Sequence, residues 1–185
     1  MRISPEASYI NRIDRPNYTP ERTGKGMPAE ELTLDFFGQI PGMERSRFST
    51  TSEDHGLDIG GKELDIVAYR DQKPTLGIQV TTAIEKGQIA KKLKTIADHP
   101  YVRLDEMKPQ DHGIPRVLIY LDAGEVDKFM KEKDFDKHPE LALKIIGDVI
   151  KSLTFHLAKT KSAQEQQSLM ELIDLFEQQK KRFIH

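Results

Sequence analysis

The sequence predicts a mixed α/β (α+β) domain, and three observations carry that reading. Residues 63–83, "ELDIVAYRDQKPTLGIQVTTA", read as two apolar strands around a polar turn. Residues 116–122, "RVLIYLD", form a near-continuous apolar run, typical of a strand covered on both faces. The segments around these carry apolar residues at helical spacing. In chain order the elements are helix, three strands, helix, strand and then helices.

Each element follows from local chemistry. "MPAEELTLDFFGQIPG" puts Pro28 at a helix start and Gly38 at its end, with Ala29, Leu32, Phe36 and Phe37 as the buried stripe. At about 100° per residue Glu30 flanks that stripe, whereas Glu31 points away from it. "RSRFSTTS" gives a short first strand, and "GLDIGGKELDIVAY" turns through Gly60 and Gly61 into the second. "TLGIQVTTA" is the third. "IEKGQIAKKLKTIADH" sets Ile89, Leu93, Ile96 and Ala97 against lysines as an amphipathic helix, and a polar connection over 98–114 leads to "RVLIYLD". "EVDKFMKE" is a short helix and "PELALKIIGDVIKSLTFHLAK" a long one. The last helix opens on the capping box Ser162-x-x-Glu165 and carries Leu169, Leu172, Ile173 and Phe176 on one stripe. It folds back as a helical hairpin or pairs with the same helix of a second subunit.

This order divides the chain into an extended arm over 1–27, a core over 28–122 and a C-terminal helical extension over 123–185. The arm carries Arg2, Arg12, Arg15, Arg22 and Lys25 without apolar periodicity, which suits either a surface-draped terminus or an arm that grips nucleic acid or a partner. A chain of 185 residues with 37% hydrophobic and 31% charged residues has the composition of an ordinary globular protein. No apolar run approaches the roughly 20 residues that cross a bilayer, and the first residues lack a signal-type apolar segment, so a cytoplasmic setting without membrane contact is expected. The absence of cysteine excludes disulfides, thiolate nucleophiles and cysteine zinc sites. A net charge of −2 requires any nucleic-acid binding to use a local basic surface.

Two polar residues interrupt the strands. In a hairpin closed by "RDQKP", with Tyr69 opposite Thr75, Asp65 faces Gln79 and Glu63 faces Thr81. These four residues then share one face, while Leu64, Ile66, Leu76, Ile78 and Val80 line the other. Four buried polar side chains need hydrogen-bond partners or a ligand. Their oxygens suit a hard cation such as Mg²⁺. Other chemistries lack their residues: "TGKGM" has neither the spacing nor the Ser/Thr of a phosphate loop, no G-x-S-x-G elbow occurs, and the six histidines show no zinc spacing. Asp54, His55 and Asp58 lie near the proposed site in sequence, Asp58 serving either as a further ligand or as a turn residue.

"GKELDIVAYRDQKPTLGIQVTT" resembles the heart of the PD-(D/E)XK nuclease superfamily, in particular small Holliday-junction-resolvase-like proteins. Glu63 and Asp65 match the first half of that signature. Gln79 stands where the family has its second acid and Thr81 where it has its lysine, and Glu30 corresponds to the glutamate of the first helix. The resemblance covers residues 28 to 122 and implies a restriction-endonuclease-like core. It further implies a nuclease that cuts phosphodiesters with Mg²⁺ or Mn²⁺, Asp65 and Gln79 being metal ligands, Glu63 and Glu30 supporting acids, and Lys86 the charge stabiliser. DNA is the expected partner ahead of RNA. The Gln79 and Thr81 departures weaken the cation cage by one charge and remove an ammonium. The alternative is a catalytically inactive descendant that binds nucleic acid or protein, and a homodimer through the C-terminal helices is a further expectation.

Overall fold

The computed structural model describes residues 27–49, 64–82, 86–104, 107–108 and 112–184. Helix α1 spans Met27–Gly38, followed by strands β1 (Arg47–Phe48), β2 (Ile66–Arg70) and β3 (Lys73–Thr81). Helix α2 (Lys86–Asp98) leads to β4 (Tyr101–Val102) and β5 (Ile114–Tyr120), and helices α3 (Ala123–Glu132), α4 (Pro139–Lys159) and α5 (Ala163–Lys180) complete the order. This is the expected mixed architecture, and the strands form one five-stranded sheet in the order β1-β2-β3-β5-β4. β1, β2 and β3 are antiparallel neighbours, β5 joins β3 in parallel across α2, and β4 closes on β5 antiparallel. Among the described residues no helix is long and apolar enough to cross a membrane.

The β2–β3 hairpin corrects the expected turn. Ile66↔Ile78, Val67↔Gly77 and Ala68↔Leu76 pair as expected, but a shift between Ala68 and Tyr69 then sets Tyr69 opposite Pro74 and Arg70 opposite Lys73. The turn therefore contains two residues, Asp71 and Gln72, with φ of 49° and 69°. Positive φ at both positions gives the turn the twist of a two-residue hairpin, in place of the usual Asn-Gly pair. One residue of bulge reconciles that tight closure with the register imposed by the core.

Both sheet faces are covered. The larger cluster joins Ile66, Ala68, Leu76, Ile78 and Val80 to the expected α1 stripe of Ala29, Leu32, Phe36 and Phe37. Apolar residues of α3, α4 and α5 belong to the same cluster, so the C-terminal helices complete the sheet domain's own core. Phe37 makes edge contacts with Phe36 and with Phe176 of α5, each at 5.8 Å between ring centroids. The α5 stripe accordingly packs within its own chain, Leu169, Leu172 and Phe176 being buried. A smaller cluster on the second face joins Leu64, Val67, Val102, Leu104 and Ile114. Leu64 was expected on the first face, beside Ile66. It lies instead over Gly77, where a Cβ would come within 2.9 Å of its Cδ1, because the regular β2 strand begins only at Ile66.

Two other expectations change. The connection over 98–114 contains the short strand β4, which pairs Tyr101 with Pro115 and Val102 with Ile114. In α2 only Ile96 is buried, and Leu93 is 50% exposed, so the amphipathic pattern exceeds the area the sheet covers.

Candidate functional site

Asp65 and Gln79 meet where β2 leaves the regular ladder. The Asp65 amide donates to the Ile78 carbonyl at 2.8 Å, and the Val80 amide donates to Asp65 Oδ2 at 2.7 Å. Asp65 thus grips the residues on either side of Gln79, by backbone before it and by carboxylate after it. The expected direct cross-strand pairing of Asp65 with Gln79 is replaced by this clamp, since the strand pairing starts at Ile66↔Ile78. A charge-assisted bond of this kind is short and directional, so it fixes the carboxylate against the sheet.

Gln79 is 5% exposed, and among the described residues no hydrogen-bond donor reaches its Oε1. A buried carbonyl oxygen without a donor is unusual, because desolvating it without a partner costs about 1–3 kcal/mol. Thr81, two residues along β3, is also buried and shares its face by strand alternation. β5 runs alongside, Gln79 standing opposite Leu118 and Thr81 opposite Tyr120. The donor set is thus carboxylate and amide oxygen, which fits a hard cation better than a soft one.

The other expected residues lie apart or outside the description. Glu30 is half-buried on α1, whose apolar stripe covers the sheet face opposite to Gln79. Lys86 is the exposed first residue of α2, directly after the short link from β3. Glu63, Asp54, His55 and Asp58 lie outside the described residues, as does the 1–27 arm apart from Met27. Among the described residues no three His, Asp or Glu side chains form a cation-holding group.

A second arrangement escaped the sequence reading. The outer edge of β5 is sealed by one side of α4: Asp148 Oδ2 accepts the Tyr120 amide at 2.9 Å, Ser152 Oγ accepts the Leu118 amide at 3.5 Å, and His156 Nε2 donates to the Arg116 carbonyl at 2.6 Å. Asp148, Ser152 and His156 recur every four residues along one side of an apolar-rich helix, which is the sequence signal for it. Side chains here do what a further strand would do, covering an edge that otherwise invites pairing with other chains. Arg116 and His156 are both buried, and burial pulls both below their ordinary pKa values. For His156, the Arg116 carbonyl contact opposes that burial effect and the Lys159 charge reinforces it.

This gives a pH dependence with a definite sign. The folded state holds His156 neutral, whereas the unfolded chain protonates it near 6.5, so stability is full above that value and falls as pH drops through it. Urea unfolding between pH 8 and pH 5 is expected to show that decline, and His156→Gln should flatten it. Equal slopes in the two proteins would remove His156 as its source.

Comparisons with known protein families, with curated proteins and with solved structures find no match to the chain.

Proposed function

We propose that the chain is a divalent-cation-dependent nuclease-like protein acting on nucleic acid phosphodiesters, with its reacting centre at the Asp65–Gln79 clamp. The observation that carries this reading is the buried Gln79 Oε1, which no donor reaches among the described residues, beside a carboxylate held in place by the Val80 amide. The antiparallel β2–β3 hairpin, the α2 crossover and the parallel β5 support the restriction-endonuclease-like core that the sequence resemblance implies. Asp65 and Gln79 would hold Mg²⁺ or Mn²⁺, which polarises the phosphate and lowers the pKa of an attacking water. Within the chain, the Val80 bond orients Asp65, Gln79 supplies a neutral ligand, and Lys86 brings positive charge to the solvent side. Glu30 and Glu63 are supporting acids in this reading. DNA ahead of RNA, a cytoplasmic setting and a homodimer through the C-terminal helices belong to the same proposal.

One observation favours the rival reading, an inactive module for nucleic-acid binding or protein assembly: Asp65 Oδ2 already serves the sheet through Val80. Calorimetric titration of Mn²⁺ and Mg²⁺, with cleavage assays on mixed DNA and RNA, separates the two. Asp65→Asn keeps an acceptor for the Val80 amide and removes the charge, so it is expected to melt near wild type while losing cation binding and cleavage. Asp65→Ala should in addition lose about 1–3 kcal/mol of stability, because the Val80 amide is stranded. A wild-type protein that neither binds the ions nor cleaves, or an Asn variant that does both unchanged, sinks the nuclease reading.

A further inference from the structure

A cleft of about 720 Å³ lies at the other end of β3, lined by residues from the β2–β3 hairpin, the β4–β5 segment and α5. It is distinct from the clamp, since Lys73 and Gln79 are six residues apart on one strand, about 20 Å at 3.3 Å per residue. Its origin is legible in the strands. The β3–β5 pairing begins at Gly77↔Arg116, and the residues ahead of it line the cleft. Pro74 and Pro115 lie there, each without an N–H for a ladder, so the two strands leave space where they would otherwise join.

The lining has two poles over an apolar floor. Arg70 and Lys73 stand on the hairpin side with Asp71 between them, its Oδ2 3.9 Å from Arg70 Nε, so that side carries a net positive charge; Glu165 and Glu171 stand on the α5 side, and Ile114 and Leu172 lie between. Glu165 is held in place: it accepts the Thr160 hydroxyl, and its Oε1 lies 3.2 Å from His112 Nδ1. The expected capping box is therefore half made, Ser162 Oγ accepting the Glu165 amide while the Glu165 carboxylate turns into the cleft. Tyr101 also lines the cleft, its hydroxyl shielded from water next to Thr160. Burial, with the Glu165 charge adding to it and a Thr160 hydrogen bond opposing, raises the phenol's pKa.

We propose that this cleft binds a small zwitterion of dipeptide size, its ammonium on the Glu165, Glu171 and Tyr101 side and its carboxylate on the Arg70 and Lys73 side. A polyanion meets Glu165 and Glu171, and a polycation meets Arg70 and Lys73, so opposite charges at the two ends of one ligand match the lining best. The volume lies within the range of small-molecule sites. An apolar side chain on the ligand covers the Ile114 and Leu172 floor.

The test is calorimetric titration of the full chain with L-alanyl-L-leucine, its N-acetyl form and its C-terminal amide. The free dipeptide is expected to bind saturably, and each blocked form about tenfold more weakly. Arg70→Gln should weaken the free dipeptide about tenfold and leave the amide unchanged, while Glu171→Gln should do the same for the N-acetyl form. Both side chains lie at the surface, and unchanged melting curves would verify that the variants fold. Equal binding by all three ligands, no binding at millimolar concentration, or variants indistinguishable from wild type would overturn the proposal.

Discussion

Phe37→Ala is expected to lower the unfolding free energy by roughly 3–5 kcal/mol, the range for truncating a fully buried phenylalanine. Phe37 is completely buried, and its ring meets Phe36 on its own helix and Phe176 on α5. The residue therefore ties the first described helix to the last. The neighbouring rings are themselves pinned, Phe36 against Phe135 at 5.4 Å, so the cavity cannot close by a simple rotation. Against a typical domain stability of about 5–15 kcal/mol such a loss is a large fraction. Urea unfolding followed by far-UV dichroism measures it, and a single cooperative transition should persist at lower urea. A loss under about 1 kcal/mol, or two separated transitions, would show that the sheet and the C-terminal helices do not share one core.

The second large effect is expected from Gln79→Glu, which places a carboxylate at a position 5% exposed and beside Asp65. No donor reaches the side-chain carbonyl of Gln79 among the described residues, so none stands ready for the new charge. Without divalent cation the variant should lose roughly 3–5 kcal/mol at neutral pH, the range for a buried charge left unpaired. Two like carboxylates at one site also push the new group's pKa up, so the deficit should shrink at pH 5 as it takes a proton. With saturating Mg²⁺ or Mn²⁺ the deficit should narrow, by about 1.4 kcal/mol for each tenfold gain in cation affinity. The added charge restores the acid that the resemblance places here, and cation affinity should rise at least about tenfold over wild type. Melting curves in chelator and in Mg²⁺ give both quantities together. A variant destabilised equally in both would leave the clamp without a cation role.

Part of this protein was determined by its sequence alone. The helix, three strands, helix, strand order was readable because the periods of its apolar residues differ between helix and strand. The α1 stripe, α4 from Pro139 to Lys159, and the central register from Ile66 to Ala68 against Leu76 to Ile78 follow from that periodicity. The proximity of Asp65 and Gln79 was legible for the same reason, since any in-register hairpin brings them together. What the pattern does not encode is how chain ends and edges are satisfied. The two-residue turn, the displacement of Leu64 onto the second face and the grip of Asp65 on Val80 arise because each backbone group at the end of a ladder must find a partner, and several geometries fulfil that requirement. The seal of β5 by Asp148, Ser152 and His156 joins residues about thirty to forty positions apart, as does the cleft between the β3 hairpin and α5 at still longer range. Only tertiary packing decides such contacts, because local periodicity specifies which face of an element is buried but not which distant element covers it.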